Sequence, residues 1–201
     1  MAYSIFNNLS NKEKTPTCLH KWIQIFPNFN TFKQKDAFLR IFSVTRETKM
    51  QSFQYQIIHR NINCRKKLFN MKIVESPLCE HCGTVDTLIH FFTECNYVAL
   101  FWTQIANWIS PIHPEISEIN FTHENILFGF EGHSNHIQVL NYIILLAKHF
   151  IYINRLKNNH DLNMITFLSI LKYKLRIEKN ISLRNKNTLF DKFSRVFDAI
   201  Q

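Results

Sequence analysis

Residues 78–95 read Leu78-Cys79-Glu80-His81-Cys82-Gly83-Thr84-Val85-Asp86-Thr87-Leu88-Ile89-His90-Phe91-Phe92-Thr93-Glu94-Cys95, and the fold is decided here. Two residues separate Cys79 from Cys82, seven separate Cys82 from His90, and four separate His90 from Cys95. Three thiolates and one imidazole are the donor set of a closed, tetrahedral, structural zinc site, with no position left for water or substrate. The Cys-x2-Cys turn aims both sulfurs at one ion, and Gly83 allows the positive φ that such a turn needs. Zinc is therefore read as a scaffold and not as a catalyst. The competing arrangements are a disulfide, ordinary buried cysteines beside a core histidine, or His81 in place of His90. His81 sits inside the turn, where its ring points more readily to solvent.

The second half of the motif makes a geometric demand. Residues 87–94 have helical character, with Asp86 or Thr87 as the N-cap. In one continuous α-helix, His90 and Cys95 would lie about 140° apart around the axis and could not share an ion. The helix is expected to end near Cys95, with Asn96 in a left-handed cap. A new helix is expected from Tyr97 to Ser110, carrying Phe101, Trp102, Ile105 and Trp108 at helical spacing and stopped by Pro111.

The 201 residues suffice for one or two small domains with a real core. The chain has 19 Phe and only 3 Gly, which favours helices over tight hairpins. Of the 5 cysteines, Cys18 and Cys64 lie outside the motif and are read as free thiols, which fits the nucleus or cytoplasm. The N-terminal sequence lacks the basic and long apolar segments of a signal peptide. The most apolar stretch, about 142–153, is interrupted by Lys148 and His149, so no membrane partner is expected.

Net charge is +9, but it is distributed in blocks. Residues 1–78 carry 13 Lys/Arg against 4 Asp/Glu, residues 79–147 carry 7 acids and no Lys/Arg, and residues 148–201 carry 11 Lys/Arg against 4 acids. Basic flanks around an acidic middle point to a polyanionic partner, RNA or DNA. A solvated surface with clustered charge is the competing explanation. Just before the motif lie Arg60, Arg65, Lys66, Lys67 and Lys72, the candidate nucleic-acid contacts. Tyr55 and His59 are candidates for base stacking. Lys172, Lys174 and Arg176 form a second basic group.

Other helices are expected around Trp22, over 33–42, and over 51–60 behind a capping box at Thr48–Gln51. A short one is expected over 64–70 capped by Asn63, and another near 124–128. Three more are expected over 136–158, over 161–181 behind Asp161, and over 187–200. The fold class is thus all-α, a small Cys3His zinc-stapled helical domain followed by a helical tail. The divisions are 1–40, a variable N-terminal segment; 41–110, the zinc-binding domain; 111–135, a linker rich in Pro and Gly; and 136–201, the tail. His113, His123, His133 and His136 lie in that linker without a paired nucleophile or ligand spacing, and are read as surface residues.

Several segments follow one another in a familiar order: 53–60 (Phe-Gln-Tyr-Gln-Ile-Ile-His-Arg), 64–69 (Cys-Arg-Lys-Lys-Leu-Phe), 76–83 (Ser-Pro-Leu-Cys-Glu-His-Cys-Gly), 87–95 and Phe101-Trp102. This order resembles the zinc-binding C-terminal region of reverse transcriptases from LINE-type, non-LTR retrotransposons. The resemblance covers about 41–110, with Asp86-Thr87 and His90-Phe91 matching closely. It implies a nucleic-acid-binding accessory to reverse transcription, partnered by an upstream polymerase domain and by RNA or DNA. It also implies a C-terminal part of a longer polyprotein. The chain contains no Asp-Asp pair, so the catalytic aspartates of such polymerases are missing and no enzyme activity is expected. The competing functional reading is a decayed or domesticated fragment that acts as a protein-interaction module through its helical tail.

Overall fold

A computed structural model describes residues 17–29, 31–114, 120–156, 162–185 and 190–199. Among them the order is α1 (Thr17–Ile25), α2 (Thr31–Val44), α3 (Thr48–Ile58), α4 (Arg65–Asn70), a π-helical turn (His90–Glu94), α5 (Asn96–Ile109), α6 (His123–Phe128), α7 (Asn135–Leu156), α8 (Met164–Arg184), a 3-10 turn (Asp191–Phe193) and α9 (Ser194–Ala199). Among the described residues no strand forms. One isolated antiparallel bridge pairs Leu78 with Val85. The all-α expectation is what the structure shows.

The organising element is α7. It is 22 residues long and free of Pro and Gly, with buried residues all round its circumference from Ile137 to Asn154. A helix that is apolar on every side has to be enclosed, and α7 packs against α2, α3, α8 and the π turn. It has the length and hydropathy of a membrane span, yet 67% of that window is buried inside the fold. The segment read as a tail therefore supplies the centre of the core. Phe92, Phe101, Phe167, Ile57, Ile105 and Leu127 are fully buried in the same cluster.

The stretch 111–135 differs from the linker expected there. Ile126, Leu127, Phe128 and Phe130 are core residues, and α6 is capped by Thr122, whose hydroxyl accepts from Asn125 N at 3.1 Å. The reversal after α6 is clamped on two sides. Arg40 donates to the carbonyls of Phe128 and Gly129 at 3.0 and 2.8 Å. The Asn141 side chain bridges the Phe130 amide and carbonyl at 2.7 and 3.0 Å. Gly129 sits at φ 84 with Asn141 Oδ1 only 2.8 Å from where a Cβ would be, so both its conformation and its neighbour require glycine. Pro and Gly here shape a packed corner.

Several local expectations shift. At α3 the N-cap position is Glu47, whose side chain makes no cap bond, and the turn before it is held by the Thr45 hydroxyl accepting from Glu47 N at 3.1 Å and by Gln51 Nε2 donating to the Thr45 carbonyl at 2.8 Å. At α8, Asn163 Oδ1 accepts from Ile165 N and Thr166 N at 2.8 and 3.2 Å. Asp161 lies outside the described residues, as does the side chain of Cys18. His113 is buried and is not the surface residue expected, whereas His123 is exposed as expected, with its Nδ1 2.6 Å from Thr93 Oγ1.

Candidate metal centre

Cys79, Cys82, His90 and Cys95 converge, with their ligand atoms all within 4.8 Å of one another. Each is delivered by a distinct local device. The Leu78–Val85 bridge starts a tight hairpin in which Gly83 N donates to Cys79 O at 2.9 Å and Cys79 N donates to Thr84 O at 2.7 Å. Gly83, at φ 70, takes the left-handed conformation that this reversal needs. The hairpin carries Cys79 and Cys82.

The other pair depends on a widened helical turn. Thr87 Oγ1 accepts from His90 N at 3.1 Å, so Thr87 is the cap that starts the turn. Cys95 N then donates to His90 O at 3.1 Å, a five-residue bond in place of the α-helical four. That spacing sets His90 and Cys95 one above the other across a single turn and removes the angular conflict of a continuous α-helix. Cys95 is extended, at φ −62 and ψ 126, and acts as the N-cap position of α5. The break falls at Cys95 as expected, but its form differs. Asn96 is the first residue of α5 and not a left-handed cap. The only non-glycine residues with positive φ among those described are Arg60 and Lys72.

Cys79 Sγ and Cys95 Sγ are 3.9 Å apart, inside the roughly 3.5–4 Å that tetrahedral bonds to one zinc would set. Cys82 Sγ and His90 Nε2 are closer, at 3.1 Å. The Thr84 hydroxyl bridges these two, 3.0 Å from the sulfur and 2.8 Å from the nitrogen. His90 Nδ1 donates to Asp86 Oδ1 at 2.9 Å, which fixes the tautomer and leaves Nε2 as the acceptor atom on the side of Cys82 Sγ and Thr84 Oγ1. Soft sulfur donors and one oriented imidazole suit a tetrahedral ion. The cysteines differ in proton affinity. Hydrogen bonding from Thr84 draws the Cys82 thiol down to about 6, whereas burial pushes Cys95 up to about 11. Bound cation charge is what would bring Cys95 to the thiolate at neutral pH. His81, the alternative ligand, stacks on Tyr97 with centroids 4.5 Å apart and planes 8° from parallel, outside the cluster.

Two residues that spacing did not mark as partners tie the cluster to the rest of the molecule. Asp86 is 1% exposed. Besides His90, its Oδ1 accepts from Arg155 Nη2 at 2.9 Å, and its Oδ2 accepts from Arg65 N at 3.1 Å. The Asp86 carbonyl accepts from Lys66 N at 3.1 Å. Asp86 thus caps α4 from a distance, where Asn63 was expected to do so from the neighbouring position. Arg155, from the last turn of α7, also donates to Phe91 O at 3.0 Å, reaches Cys79 Sγ at 3.4 Å and lies 4.1 Å over the Phe91 ring. Three thiolates on one divalent cation would carry a net negative charge, which Arg155 would oppose from within the core.

The candidate nucleic-acid contacts do not form a uniform group. Arg60 lies 4.6 Å over the Trp22 ring, and Arg65 is ion-paired with Glu80. Lys67 Nζ donates to Asn61 Oδ1 at 2.5 Å and is half-buried. Lys66 and Lys72 are exposed. Tyr55 is 48% exposed and its ring is 4.1 Å from that of His59. In the second basic group, Lys174 pairs with Glu47 at 2.6 Å. No family model, curated protein or solved structure matches the chain.

Proposed function

We propose that the Cys79, Cys82, His90 and Cys95 cluster binds one zinc ion as a structural clamp, and that the clamped unit presents α4 and the turn after it to RNA or DNA without catalysing a reaction. The observation that carries this reading is Asp86. It holds the ligand His90 through one oxygen and the first amide of α4 through the other. A metal at the cluster would therefore organise the basic helix as well as the hairpin. Zinc fits a donor set of three sulfurs and one imidazole nitrogen with no open position. Phosphates would meet Lys66, Lys67 and Lys72 and not the cluster itself, since residues 79–147 carry no Lys or Arg. The sequence resemblance to the zinc-binding region of LINE-type reverse transcriptases supports the same reading, with a polymerase domain as the natural neighbour.

Filter binding to single-stranded RNA across a salt series tests the proposal. Three phosphate contacts give a log–log salt slope of about −2. Replacing Lys66, Lys67 and Lys72 with Glu weakens binding to every sequence and flattens that slope, while metal content stays the same. Equal binding by parent and variant refutes the assigned surface. A second reading, a protein-interaction module acting through the helical tail, draws on the apolar residues that α8 leaves in solvent. Ile165 is 76% exposed, Leu183 67% and Tyr173 64%. Absence of any binding to RNA or DNA would favour it.

A further inference from the structure

Beside the metal cluster, α4, the hairpin and the end of α7 enclose a cleft of about 270 Å³. Its walls are apolar where Leu68, Val74 and Leu156 line it, and polar where Asn63 and His81 do. The charged groups at its edge are matched. Arg155 is paired with Asp86, and Arg65 with Glu80. A cleft whose two cations are each matched by an anion offers a phosphate little. It suits a flat, neutral group with hydrogen-bonding edges. The volume lies just below the roughly 300–1,000 Å³ of pockets for whole small-molecule ligands, so one ring system is the natural size.

Resting on the nucleic-acid reading above, we propose that this cleft takes one unpaired nucleobase, and that the partner is therefore a single strand and not a duplex. His81 lines the cleft, and Tyr97, which does not, backs it in a parallel stack with centroids 4.5 Å apart. A base entering the cleft extends that stack by one ring. Asn63 offers both a donor and an acceptor to the base edge. Lys66, one residue after Arg65 on the exposed side of α4, stands where the flanking phosphate runs. A paired base has its edge occupied and its partner strand attached, and does not enter.

The test uses the whole chain with its metal and three probes at one salt concentration: a short single strand of DNA carrying 2-aminopurine, the duplex of the same strand, and an abasic strand of the same length. Base-on-aromatic stacking makes the base-bearing strand bind about tenfold more tightly than the abasic one. Its 2-aminopurine fluorescence is quenched on binding, and the duplex binds like the abasic strand. His81→Ala removes both the tenfold advantage and the quenching with metal content unchanged, and His81→Phe restores both. If the abasic strand binds as well as the base-bearing one, or His81→Ala keeps the preference, the cleft holds no base although the protein still binds nucleic acid. If no probe binds, the nucleic-acid reading falls and the cleft assignment falls with it. If His81→Ala does not fold, the comparison of base-bearing and abasic strands on the parent protein decides alone.

Discussion

Two regions of this molecule are ordered by different physics. Around α7, order comes from area removed from water. Val139, Leu140, Ile143, Ala147 and Ile151 are each 0% exposed, and aromatic side chains from α3, α5 and α8 close over them. The hairpin and α4 have no such core. α4 is 6 residues long and buries none of them, far short of the length at which a helix holds itself in water. Phe69, Met71, Ile73, Leu78 and Val85 are all exposed. What fixes this region is a set of directional contacts that meet at Asp86 and at four ligand atoms. The comparison teaches that removing the metal and removing a methyl group should damage different parts of one chain.

The largest effect is expected from Cys82→Ser. Cys82 is only half-buried, so the substitution opens no cavity and reports on the metal. Structural zinc contributes on the order of 10–16 kcal/mol in small zinc domains, and 64–86 should lose its order while the α7 core keeps most of its helical signal. Far-UV circular dichroism with metal analysis checks this, and a variant that melts like the parent breaks the comparison. Next is Ile143→Ala, which removes a fully buried side chain and should cost about 2–5 kcal/mol in denaturant titrations with metal stoichiometry untouched.

Asp86→Asn sharpens the comparison because Asp86 belongs to the ligands, α4 and α7 together. Losing the carboxylate that orients His90 should weaken metal affinity by about 10–100-fold, read by competition with a chromophoric chelator. The smallest effect is expected inside the core. Lys148 is fully buried, donates to Gln54 Oε1 at 2.6 Å and to Leu127 O at 2.9 Å, and burial pushes its amine well below the ordinary range. In the unfolded chain the amine binds a proton that the folded chain rejects, so parent stability rises with pH until the ordinary value near 10.5 is reached. Lys148→Met should flatten that rise, with only Gln54 Oε1 left without its donor, because Gln54 Nε2 keeps its own bond to Leu127 O. Melting temperatures across an alkaline pH series measure it.

These contrasts also explain what was legible in the sequence. The cluster of Cys79, Cys82, His90 and Cys95 was legible because its spacing is local and its chemistry narrow. The interruption at Cys95 was legible from helix geometry alone. The five-residue turn that accomplishes it was not, since such turns leave no mark in composition. Arg155 contacts Asp86 across 69 residues of sequence, and Gln54 meets Lys148 across 94. No local pattern encodes either pairing. Pro, Gly and polar residues made 111–135 resemble a spacer because composition records turns but not what encloses them. Asp86 was recognised as a cap, and it does cap a helix, although that helix is 21 residues upstream.

The central claim is that one metal ion fixes the hairpin and the basic helix, and that the α7 core stands without it. Amide hydrogen exchange on the whole chain, with and without a zinc chelator, tests this most directly. The account predicts that chelation removes protection from 64–86 and leaves the amides of 139–151 protected. Equal protection of 64–86 in both conditions, or loss of protection through α7 at the same rate, would contradict it.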